Sequence, residues 1–348
     1  MEGAEGDDQP QAEAGEQISD AAGAEQVESP VRGLKNRINH YLHSLRANHS
    51  TALETGDTEA IHKIRVSTRR LQAAVDLLQT GSNELRARAV KRRLRKLRLS
   101  LANVRNYDVF IAMVEQAAAG RRPSIQRYQN ELVTAELHKR RARSLLRVKQ
   151  GLSHAHLGDL SGKVREVCGI DRHSDNQNPV EAGSSPIAQA DDDTLKRRTV
   201  DRLEQRLAEL QHLAARVDTA STAETMHRLR IAAKRLRYLL ELVSEMGYGD
   251  SRRTVEWLKL LQDRLGDLHD IDAFQEEVVD IVSRPKFLKN HMIESGGMLY
   301  AAARVVGGRE SLCARTFPVR IPLSVGAATR KLARAISKAG LTQAMAPP

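Results

Sequence analysis

The sequence predicts an all-α protein built from two similar halves, and three observations carry that expectation. Aromatic residues make up only 3% of the chain while 41% is hydrophobic, so any core is aliphatic, rich in the Leu and Ala that favour helices. Apolar residues recur at alternating spacings of three and four over long stretches, as in Leu34, Ile38, Leu42 and Leu45. The pattern then returns after about 165 residues. That period is far too long for a solenoid. Each half supplies about four long amphipathic helices, the complement of a four-helix bundle. The expected plan is a disordered acidic tail over 1–30, a first helical repeat over 31–168, a linker over 169–192 and a second repeat over 193–342.

The tail has nine acids and no Lys or Arg before Arg32, and almost no large apolar side chain, so it cannot offset its chain entropy by burial. It is expected either to solubilise the chain or to fold back on a basic surface. A first helix covers Val31 to Leu53, and Gly56 breaks it. Asp57 or Thr58 caps the next helix, which ends near Gly81, Ser82 and Asn83. A strongly basic third helix runs from about Glu84 to Ala102 around Leu94, Leu97 and Leu101. The segment Asn103 to Phe110 follows, then helix to about Ala119. Gly120 and Pro123 interrupt it before a fifth helix, Ser124 to Leu152, and a weaker one over 159–168.

The plan then repeats. Leu203, Leu207 and Leu210, in a helix from Leu195 to Val217, fall on Ile38, Leu42 and Leu45 at a shift of 165. Thr222 caps the following helix, and Gly247 and Gly249 end it. Val255 to Phe274 matches Lys91 to Phe110 at a shift of 164. The one-residue slip falls in a turn, where loops tolerate it. A helix is expected from about Lys286 to Val306, a loop between Pro318 and Pro322, and a last helix from Ser324 to Ala339.

The second helix of each half carries the chemistry. At ~100° per residue, Ile64, Leu71, Val75 and Leu78 share one side of the first copy, and His62, Arg65 and Arg69 the other. In the second copy Leu229, Leu236, Leu240 and Val243 oppose His227, Arg230 and Lys234, with Arg237 beside them. Each helix therefore has a core face and a cationic face that opens with a histidine. Together they form two walls of one site for a polyanion. Arg98 on the basic third helix and Arg105 just after it join the candidate ligands. A phosphate chain is a line of charge with no base edges, and Arg pairs bidentately with its oxygens. Histidine gains charge below pH ~6.5, so affinity should rise toward pH 6 and fall steeply with salt. Asp76, Glu241, Asp108 and Asp272 are expected to pair with neighbouring cations or brace the helices.

The net charge of +11 understates the basicity of the body, since the tail is acidic. Nucleic acid is expected to bind only weakly, because sparse aromatics give no stacking platform. No P-loop or HExxH appears, so no catalytic activity and no cofactor are expected. Cys168 and Cys313 lack metal-ligand spacing and fit a reducing compartment. No signal peptide or membrane span is expected, which favours the cytoplasm.

H-x-x-R-V-x-x-x-R-R-L from His62 followed by L-A-N-V-R-N-Y-D-V, and H-R-L-R-I-A-A-K-R-L-R from His227 followed by L-G-D-L-H-D-I-D, resemble the CHAD family, the conserved-histidine α-helical domain. The likeness spans roughly residues 31–340. It implies two four-helix bundles related by pseudo-twofold symmetry around a basic central groove. It also implies binding of inorganic polyphosphate and association with polyphosphate granules and their proteins. The positions matching the family motif are His62, Arg65, Arg69, Arg70, His227, Arg230, Arg235 and Arg237. Three departures predict unequal walls. Gln72 stands opposite Arg237, Lys234 opposite Arg69, and Asn106 replaces the aspartate that Asp270 keeps.

Overall fold

The computed structural model describes residues 29–79, 81–118, 124–153, 157–170, 192–218 and 222–298, then 312, 313, 316, 319 and 322–344. The acidic tail to residue 28 and most of the linker, 171–191, lie outside the described residues, as do 119–123 and 299–311. The elements are all helices: α1 (Pro30–Glu54), α2 (Thr58–Leu78), α3 (Glu84–Ser100), α4 (Ala102–Ala118), α5 (Ser124–Ser153), α6 (Leu157–Val167), α7 (Asp192–Ala214), α8 (Ala223–Glu245), α9 (Arg252–Val282), α10 (Pro285–Asn290) and α11 (Leu323–Ala344).

The ends of the two motif helices follow local chemistry. Gly56 turns the chain at φ +69°, a conformation that a Cβ would strain, and Asp57 then accepts the Ala60 N–H at 2.7 Å to start α2. Thr222 starts α8 in the same way, accepting the Thr225 N–H. Gly247 at φ +81° ends α8. Asn83 is buried between α2 and α6 and donates to the carbonyls of Leu78 and Val167.

Two expectations change in detail. The segment Asn103 to Phe110 is helical, because α4 begins at Ala102. The break before it comes at Leu101, where the Ser100 hydroxyl donates to the Leu97 carbonyl at 2.7 Å and competes with the helix ladder. The matching stretch of the second half stays unbroken inside the single helix α9. The helix expected from Lys286 is interrupted: α10 ends at Asn290, the chain is helical again over 292–298, and 299–311 lie outside the described residues.

The halves do not keep separate cores. Leu34, Ile38, Ile64 and Leu71 of the first half belong to one buried cluster with Leu203, Leu229, Leu236 and Leu258 of the second. Helix α2 packs directly on α8, so the two motif helices sit side by side. Truncating a residue such as Leu71 to Ala would cost about 2–5 kcal/mol. A smaller second core joins α4 and α5 to the far end of α9, where the rings of Phe110 and Phe274, matched in the repeat, lie 5.6 Å apart. Arg140 of α5, 7% exposed, secures that end against Glu277 and Asp280 of α9. Asp108 braces α4 to Arg141 of α5.

Candidate cationic site

Because α2 lies against α8, the polar stripes of both helices are brought to one place and partly buried. Helices α3, α4 and α9 add side chains from the flanks. Arg65 donates from Nη1 to the carbonyl of Arg98 at 2.9 Å, which ties α2 to the end of α3. Burial, and then Arg69, Arg105 and Arg98 as neighbouring like charges, bring its pKa down to about 10. Arg98 is lowered by burial and then by Arg69, and its Nη1 donates to Gln72 at 3.1 Å. Arg69 crosses to the other half and donates to the Tyr238 hydroxyl at 3.4 Å. Arg105 pairs bidentately with Asp270 of α9 at 3.0 and 3.1 Å.

On the α8 side, burial pushes Arg230 below its ordinary value, with Arg105 and Arg69 adding to the effect and Asp270 and Asp267 opposing it. Its guanidinium lies against Gly266. A Cβ there would stand 3.3 Å from Arg230 Nη2, so the glycine makes room for the arginine. The Arg230 Nε is buried with no partner among the described residues. Lys234 is perturbed most. Burial, then Arg230, Arg69, Arg105 and Arg65, bring it from 10.5 down to about 6. It is therefore mostly neutral at pH 7 while no anion is bound. Such a shift reflects several kcal/mol, in order of magnitude, against charging the amine.

Six of the expected residues thus converge: Arg65, Arg69, Arg98, Arg105, Arg230 and Lys234. His227 is exposed, and its ring lies 5.9 Å from that of His269, whose pKa is lowered by burial and by Arg230. His62 is exposed near the start of the α2 stripe.

Three expected ligands go elsewhere. Arg235, 51% exposed, turns away and pairs with Glu209 of α7 at 2.9 Å. It follows Lys234 by one residue and so points ~100° off the stripe. Arg70, displaced likewise from Arg69, stacks on Tyr41 and meets Glu241 at 3.6 Å. Arg237 lies on the stripe, but it is held by the same Glu241 at 3.6 Å and over the Tyr238 ring. Each of the three therefore has a neighbouring carboxylate. Asp76 pairs with Lys91.

The sequence reading missed Tyr238, Gly266 and His269. The last two sit in the L-G-D-L-H-D segment that marked the repeat. Their roles appear only once α9 passes beside Arg230. Among the described residues no group of three or more His, Cys, Asp or Glu could hold a metal ion, and no helix is long and apolar enough to cross a membrane.

The CHAD domain model matches residues 36–279. The fold is similar to the crystal structure of the CHAD domain from the plant Ricinus communis, with TM-score 0.56 and 19% identity, covering 88% of this chain and 92% of that one. It is also similar to PptA from Streptomyces chartreusis, with TM-score 0.54 and 16% identity, covering 83% of this chain and 98% of that one. A comparison with curated proteins gives no match.

Proposed function

The chain belongs to the CHAD family, and from that premise we propose that it binds inorganic polyphosphate without transforming it. The observation that carries the reading is the convergence of five arginines and Lys234 from α2, α3, α4 and α8, with Asp270 as the one carboxylate in direct ion pairing with them among the described residues. Like charges held this close, in partial burial, are unfavourable alone and favourable once a polyanion fills the space between them. The two repeats would then be related by a pseudo-twofold axis and enclose a basic groove. The Arg forks would grip bidentately, and Lys234 would take up a proton as phosphate arrives.

Polyphosphate is recognised through its charge density, and among the described residues the site offers no aromatic stack of the kind that single-stranded nucleic acid uses. Granule association is the cellular consequence we assign to this binding. Calorimetric titration with polyphosphate tests it: submicromolar binding that weakens steeply with salt is expected, and long polyphosphate should outcompete duplex DNA at ~150 mM salt. Equal competition by DNA would sink the reading. Release of phosphate from polyphosphate in the presence of Mg²⁺ or Mn²⁺ would contradict the absence of catalysis.

A further inference from the structure

The cations do not end with the cluster. Arg98 feels not only Arg69 but also Arg95, one turn back along α3. Arg92, Arg95 and Lys96 are exposed and share one side of the helix, spanning ~6 Å of its length. Among the described residues no carboxylate pairs with any of the three. The acids that do reach α3 from α6, Asp159 and Glu166, hold Arg93 and Arg86 on its other side.

A basic helix face is commonly just solvated. The matched stretch of α9 makes this one different. At the shift of 164, Glu256 stands where Arg92 stands, Gln262 for Arg98, Asp263 for Leu99 and Asp267 for Asn103. Of the residues matching Arg92, Arg95 and Lys96, only Lys259 retains the charge, that of Arg95, and Leu260 stands for Lys96. One flank of the cluster therefore continues as cations, while the matched face of α9 mixes Glu256, Asp263 and Asp267 with the single cation Lys259. An extended polyanion gains by lying on the first and is repelled by the second.

We propose that a long polyphosphate seated on the cluster leaves it over α3, along Arg95, Arg92 and Lys96, and not over α9. These three side chains then form a subsite felt only by chains long enough to overrun the cluster. The inference rests on the polyphosphate reading and adds a direction to it.

The test is calorimetric titration of the full chain with tripolyphosphate and with long-chain polyphosphate. The variant is Arg92→Ala/Arg95→Ala/Lys96→Ala. An equally charged control, Lys139→Ala/Arg143→Ala/Arg147→Ala, removes exposed cations from α5. The α3 variant should bind the long chain about tenfold more weakly or worse, with a shallower salt dependence, and tripolyphosphate within about twofold of the unaltered protein. The α5 control should leave both ligands within about twofold. Three results would each overturn the inference: unchanged long-chain affinity in the α3 variant, an equal loss for tripolyphosphate, or an equal loss in the α5 control. Failure of the unaltered protein to bind either ligand would instead remove the functional reading beneath it.

Discussion

The two motif helices begin from nearly the same pattern and arrive at different electrostatic states. On the α2 side, Arg65 and Arg69 are joined by Arg98 and Arg105, so every cation there is a guanidinium. On the α8 side, Arg230 is tempered by Asp270 and Asp267, and the position matching Arg69 is Lys234, an amine brought to about 6. Of the α9 carboxylates, Asp270 is paired with Arg105. One side is therefore all guanidinium, while the other includes an amine whose pKa is depressed. An Arg-to-Lys difference at one stripe position thus places a titratable amine among the arginines. Lysine can shed its proton under crowding, and arginine cannot.

The comparison can be broken most severely by removing one arginine from each wall. Arg65→Ala/Arg230→Ala should weaken polyphosphate binding by about a hundredfold or more, since each charge-assisted pair contributes ~1.5–3 kcal/mol. Calorimetry checks this, and a loss below tenfold would remove the two walls as the grip.

Lys234→Met sharpens the contrast through pH. In the folded chain Lys234 titrates at about 6, against an ordinary 10.5, so between those values the unfolded chain holds the extra proton. The lysine's cost to stability is thus full below pH ~6 and fades as pH rises toward the unfolded value. Lys234→Met should raise the melting temperature of the free protein near pH 7 and flatten the rise of stability with pH. It should also abolish proton uptake on binding. In the unaltered protein, affinity should climb as pH falls from ~9 to ~6, by at most about tenfold per unit. Titration in buffers of different ionisation enthalpy reads the proton count. The reciprocal change, Arg69→Lys, should create a second titrating amine and steepen the same profile.

Asp270→Asn tests how the second wall is tempered. Freed of its carboxylate, Arg105 should grip phosphate several-fold more tightly, while the partly buried pair it loses costs roughly 1–3 kcal/mol of stability. Opposite movements of affinity and thermal midpoint are expected. Gly266→Ala should be milder. Its methyl displaces Arg230 by tenths of an ångström, weakening binding a few-fold without loss of helix stability. Smallest of all, Arg235→Ala should leave polyphosphate affinity within about twofold, because an exposed pair with Glu209 contributes ~0–1 kcal/mol to stability and nothing to the cluster.

The helices themselves were readable residue by residue. Apolar spacing placed α1, α2, α7 and α8 to within a few residues, and Asp57, Gly56 and Thr222 marked their ends. Four of the six converging cations came from periodicity on α2 and α8. Arg98 and Arg105 were candidates from the basic third helix and the segment after it. Periodicity put Arg237 on the same side of α8 but gave no sign that Glu241 lies 3.6 Å from it, a carboxylate shared with Arg70 from a helix far away in sequence. It also gave no reason for Gly266 or Tyr238, whose partners come from other helices.

Sequence alone determined the all-helical class, the recurrence at about 165 residues and the face on which each motif cation lies, since each depends on neighbours within one or two turns. Tertiary structure alone decided that α2 rests on α8 inside one shared core, which cations remain unpaired, and that Lys234 gives up its proton. These depend on burial and Coulomb terms between residues more than a hundred positions apart, and no local pattern carries that information.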